Sequence, residues 1–100
     1  MATGAEGRPT YEVRDDPERN RYELLVDGRV LGIAEYHRRG DVVVLPHTEI
    51  DARERGQGWG EVLVRAVLDD VRRQGLQIVP QCWFVADFVG LHPDYGDLVA

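Results

Sequence analysis

The chain has 100 residues, 43% of them apolar and 30% charged, which allows one compact domain with a single core and no second. Two Trp, four Tyr and two Phe accompany long Val, Leu and Ile runs, which excludes disorder, and the longest apolar stretches, such as 42–46, fall far short of the ~20 residues of a bilayer span. Twelve basic against eighteen acidic residues give a net charge of −6, the wrong sign for a phosphate backbone, so no nucleic-acid partner is expected.

Residues 1–10 lack periodicity, lack the apolar core of a signal peptide and read as a flexible tail, leaving 11–100 as the domain. The single Cys, Cys82, cannot form an internal disulfide, which favours a reducing, cytoplasmic address and leaves any role for it as a lone thiol.

Tyr11 to Asp16 suits a short polar strand, stopped at Asp16-Pro17. Arg21 to Val26 and Arg29 to Arg38 flank Asp27-Gly28, the dipeptide of a type I′ hairpin. After a turn at Arg39-Gly40-Asp41, the β-branched run Val42-Val43-Val44-Leu45 begins a buried strand reaching Ile50, in which Pro46 marks a bulge or a break in pairing.

Beyond the loop 51–58, Trp59, Val62, Leu63, Ala66, Val67 and Val71 form the apolar stripe of an amphipathic helix that Gly75 stops. Leu76 to Pro80 then reads as a strand parallel to Val42 to Ile50, closing a βαβ unit. Val85, Phe88, Val89 and His92 recur at helical spacing before Pro93.

The segment Arg55-Gly56-Gln57-Gly58-Trp59-Gly60 lies between the buried strand and the helix. Glycines there let the backbone approach a ligand, and the unsatisfied N–H groups at the helix start favour a phosphate, with Arg55 adding charge. A Gly-rich turn without a ligand is the plain alternative. No Gly-Lys-Ser/Thr follows and the spacing is not G-x-G-x-x-G, so neither a Walker loop nor a dinucleotide fingerprint is present.

The loop matches R-x-x-G-x-G, and together with His47-Thr48-Glu49, Val79-Pro80-Gln81-Cys82-Trp83-Phe84-Val85 and 92–99 it closely resembles the GCN5-related N-acetyltransferase (GNAT) superfamily, in particular its small, single-domain YjdJ-type subgroup. The likeness spans Tyr11 to Val99 and departs at Trp59, where the subgroup tends to carry a smaller aliphatic residue. It implies a minimal α+β GNAT fold: a mixed, mostly antiparallel sheet, a βαβ coenzyme A-binding unit and two main helices. It also implies acetyl transfer from acetyl-CoA to an amine, on a small molecule or a protein, or alternatively a non-catalytic coenzyme A-binding or interaction module.

By the resemblance, Arg55, Gly56, Gln57, Gly58, Trp59 and Gly60 hold the coenzyme A pyrophosphate, and the pantetheine arm pairs near Glu49 and Ile50. Glu49 is the preferred general base, with a solvated strand-end carboxylate as its alternative. Cys82 has three readings: a small buried hydrophobe, a cleft residue opposite Glu49, or a nucleophile. His47 shares a strand face with Glu49 and either orients it or is structural. Tyr95 is a core aromatic or an acid for the leaving thiolate, and His92 a helix-end partner. His, Cys and Glu show no metal-ligand spacing, so no metal is expected. The expected partners are the coenzyme A thioester and an amine, with no membrane, in a monomer or weak homodimer.

Overall fold

The structure, a computed structural model, describes residues 10–100, so the expected tail falls outside the described residues except for Thr10. Strands β1 (Tyr11–Asp16), β2 (Arg21–Val26), β3 (Arg29–Arg39) and β4 (Val42–Ile50) form an antiparallel meander, and β5 (Gln77–Val79) adds parallel to β4. Helix α1 (Trp59–Arg73) makes the crossover between β4 and β5, and α2 (Trp83–Leu91) follows. This is the mixed α+β arrangement that the sequence implies.

The β2–β3 turn forms as its dipeptide requires. Val26 pairs with Arg29, and Asp27 and Gly28 both take positive φ, 49° and 83°. Pro46 does mark a bulge: Glu35 pairs with His47 and His37 with Val44, so Tyr36 alone faces Leu45 and Pro46.

Packing on α1 is broader than the expected stripe. Leu63, Val64, Val67, Leu68 and Val71 are essentially inaccessible, whereas Trp59, Val62 and Ala66 are half-buried at the margin. The buried arc is wider because α1 contacts the sheet, α2 and the C-terminal turn Pro93–Leu98, and Val64 and Leu68 join one buried cluster with Val85, Phe88, Tyr95 and Leu98. Each such side chain contributes about 1.5–3 kcal/mol when fully buried. The polar side of α1 is tied down too, since the Tyr22 hydroxyl donates to Asp70 at 2.7 Å and that of Tyr95 to Asp69 at 2.7 Å.

The opposite face of the sheet is charged. Arg14 and Arg21 both donate to the Glu23 carboxylate, at 3.2 and 2.8 Å, and screen it from solvent, while Glu35, His37, His47 and Glu49 are exposed. Among the described residues no helix is long and apolar enough to cross a membrane.

Candidate active site

The site is created where β4 and β5 stop pairing. Parallel partners run from Val42 with Gln77 to Val44 with Val79, and the last link is the Cys82 N–H donating to the Leu45 carbonyl at 2.9 Å. Past this point Pro46 to Ile50 continue without a β5 partner, and α2 turns away. A cleft of about 920 Å³ opens in the gap, lined by β4 from Pro46 to Ile50, by the loop and first turn of α1, and by Gln81 to Phe84.

Its floor is the start of α1. Gly56 and Gly58 have φ of +83° and +86°, a region where a side chain would be strained, and Gly58 is the N-cap. No side chain caps this helix, so the N–H groups of its first turn are left for solvent or a ligand, at the positive end of the dipole. Gly60 is needed for a different reason: a Cβ there would sit 2.8 Å from Phe84 Cζ, so α1 and α2 approach through this glycine. Arg55 is exposed, with Nε donating to the Ile50 carbonyl at 3.3 Å. Trp59, the departure from the subgroup pattern, packs edge-on against Tyr11 with ring centroids 5.7 Å apart.

The candidate catalytic residues reach one cleft from two sides of β4. His47 and Glu49 lie on the exposed sheet face, where His47 Nε2 and Glu49 Oε2 are 3.2 Å apart. Thr48 has the opposite parity, with Ala34 as its cross-strand partner on the α1 side. It is Thr48, not Glu49, that acts on the Cys82 thiol. Burial pushes that thiol up, but the Thr48 hydroxyl and the backbone N–H groups of Val85, Phe84 and Thr48 outweigh it, holding the thiol below its ordinary range. Thr48 Oγ1 is itself buried and makes no bond that meets hydrogen-bond geometry, so its influence on the sulfur is one of proximity. Cys82 is half-buried and lines the same cleft as Glu49, which does not fit full burial as a core hydrophobe.

Two residues considered for the site lie elsewhere. Tyr95 is buried in the core with its hydroxyl committed to Asp69 and approached by Arg65 at 3.4 Å. Burial and then Asp69 raise its pKa, which opposes a role as acid for a thiolate. His92 caps α2, with Nδ1 2.8 Å from the Phe88 carbonyl and its ring stacked on Phe88. Thr48 and Phe84 are site residues that motif reading passed over; the strand parity between His47 and Glu49 is the signal that finds Thr48. Among the described residues no cluster of His, Cys, Asp and Glu has a metal-site arrangement.

This splayed βαβ unit with a glycine-lined helix start defines an acyltransferase fold. The family model described as GCN5-related N-acetyl-transferase matches residues 21–98, and the chain belongs to that family of acetyltransferases. Two solved structures share the fold. A GCN5-like putative N-acetyltransferase from Staphylococcus aureus superposes with a TM-score of 0.68 at 22% identity, covering 89% of this chain and 87% of its own. The ribosomal-protein-S18-alanine N-acetyltransferase from Escherichia coli gives 0.60 at 18% identity over 72% of this chain, which spans only 50% of that protein's length. No curated protein matches the sequence.

Proposed function

We propose that the protein transfers an acetyl group from acetyl-CoA to a primary amine, on a small molecule or a protein. The observation that carries this reading is the uncapped start of α1, reached through two positive-φ glycines, at the base of the gap between β4 and β5. Such a helix end suits the coenzyme's pyrophosphate, and the unpaired β4 edge from Pro46 to Ile50 suits its amide-bearing arm. Bound there, acetyl-CoA supplies an activated thioester carbonyl.

The first-turn N–H groups and the backbone of Gly56 to Gly60 hold the diphosphate, and Arg55 swings from the Ile50 carbonyl to add charge. Glu49, oriented by His47, takes a proton from the acceptor ammonium on the exposed face, so that a neutral amine meets the carbonyl through the gap. As the new C–N bond forms and the C–S bond breaks, a proton must reach the departing thiolate. Cys82, on the α1 side with its thiol held below its ordinary range by Thr48 and the α2 amides, is the candidate donor. It is equally placed to accept the acetyl group first and pass it to the amine.

Titration with coenzyme A and acetyl-CoA while following thermal unfolding tests the reading, and stabilisation by both is expected. No stabilisation by either overturns it. Intact mass after incubation with acetyl-CoA alone separates the two roles of Cys82: the increment of one acetyl group, lost in Cys82→Ala, marks the covalent route.

A further inference from the structure

A second, smaller cavity of about 340 Å³ adjoins the main cleft and shares a wall with it, formed by Glu49, Ile50 and Arg55. Its other side is the β3 segment Val30 to Ile33. Ile33 is the direct cross-strand partner of Glu49 and stands on the same exposed face, so its side chain flanks the carboxylate. Val30, 46% exposed despite its size, lies further along β3 beside buried Leu25. The charged sheet face therefore ends in an apolar strip that runs up to Glu49.

Behind the strip, on the α1 side of β3, Gly32 has no room for a side chain, because a Cβ would meet Ile50 Cδ1 at 2.5 Å and the Glu49 carbonyl at 2.9 Å. Ile50 is thereby packed flat against β3. Three charged side chains line the cavity, Glu49, Asp51 and Arg55. Asp51 is already satisfied by Arg53, through its N–H at 2.9 Å and its guanidinium at 3.4 Å. Arg55 keeps its positive charge against the Ile50 carbonyl but is the group that the coenzyme's diphosphate draws away, which leaves Glu49, with the exposed His47 beside it, as the charge facing the cavity.

We infer that this cavity is the acceptor subsite and that it selects a primary ammonium carried on an unbranched aliphatic stem. The inference rests on the acetyl-transfer reading above and specifies its substrate class. The ammonium sits at Glu49, on the boundary between the two cavities, and the stem lies along Ile33 toward Val30. From Ile33 to Val30 the strand covers roughly 10 Å, which matches a stem of about six to eight carbons. A free alkylamine can fill the whole strip, and a lysine side chain, with four methylenes, its Glu49 end.

The test uses the whole chain saturated with coenzyme A and measures binding by calorimetry for n-propylamine, n-butylamine, n-hexylamine and uncharged n-hexanol. Affinity is expected to rise about twofold to fourfold per added methylene, the gain from removing one CH2 from water, with n-hexanol far weaker than n-hexylamine. Val30→Ser and Ile33→Ser should each flatten this dependence while coenzyme A affinity is kept; Val30, being exposed, guards against a folding defect at Ile33. An Nα-blocked lysine peptide that binds at least as well as n-butylamine, which carries the same four carbons, assigns the stem to a protein side chain, and a weaker one assigns it to a free amine; either source bears the inference out. A flat dependence on chain length, or one untouched by both substitutions, overturns the subsite while leaving coenzyme binding and the acetyl-transfer reading standing. Failure to bind coenzyme A overturns both.

Discussion

The Cys82 N–H and the Leu45 carbonyl, 2.9 Å apart, form the last bond joining the β5 side of the sheet to β4, and everything attributed to the site lies beyond it. This bond fixes the thiol at the apex of the gap, next to Thr48 and under the first amides of α2. The candidate groups are thus divided by β4 itself, with Cys82 and Thr48 on the helix side and His47 and Glu49 on the open side.

That division predicts the thiol's reactivity. Burial opposes ionisation, yet the surrounding donors prevail, so the pH profile of alkylation by iodoacetamide should turn upward below the ordinary thiol value of 9.0. Thr48→Val should move the inflection toward higher pH, and coenzyme A should protect. An unchanged inflection in Thr48→Val would remove Thr48 from the account.

Gly60→Ala tests the contact between α1 and α2. Relative to Gly, Ala gains about 1 kcal/mol of helix propensity, against about 1–3 kcal/mol for overpacking. The obstructing atom is the far end of Phe84, which can swing away. The net loss of stability should therefore be small, at most about 2 kcal/mol by denaturant unfolding. Because Phe84 must then move within the cleft it lines, coenzyme A affinity should fall several-fold more than stability alone explains.

Glu23 supplies a pH signature. The hydrogen bond from Arg21 outweighs desolvation and, with Arg14, lowers its folded pKa from 4.5. The stabilisation is therefore complete above about pH 4.5 and is lost as pH falls through the lowered folded value. Glu23→Gln should cost about 1–3 kcal/mol at pH 7, since an amide would face two guanidinium groups. Urea unfolding of both proteins should show that difference shrinking in acid; a difference independent of pH would contradict the ion-pair explanation.

Tyr22→Phe removes one of three donors to Asp70, the others being Arg73 and Gln74. Since the carboxylate keeps two partners, the cost should stay near 1–2 kcal/mol by chemical denaturation. Burial and then Asp70 push the Tyr22 phenol far above its usual range, so the wild-type protein should resist alkaline ionisation at this residue until it unfolds.

Much of this was legible in the residues. Asp27-Gly28 announces its hairpin because few dipeptides accept two positive φ angles, and Pro46 announces its bulge because it has no N–H to pair. The loop from Arg55 to Gly58 is legible for the same local reason, as Gly56 and Gly58 are required by backbone geometry, whereas Gly60 answers to Phe84. What depends on distant partners is not legible. The wider buried arc of α1 comes from α2 and the C-terminal turn packing beside it, and the removal of Tyr95 from the site comes from Asp69, 26 positions earlier. Cys82 lies beside Thr48 because of the bond to Leu45, a register that no local pattern specifies.

Pro46 has one further effect. A strand edge left without a neighbour ordinarily invites one, and β5 would gain hydrogen bonds by zippering onward along β4. The bulge at Leu45 and Pro46 bends β4 just where its pairing with β5 ends, so the gap is built into the fold. Binding then requires no strand to be peeled away, and the cost of shaping the pocket is met once, during folding, rather than at every encounter.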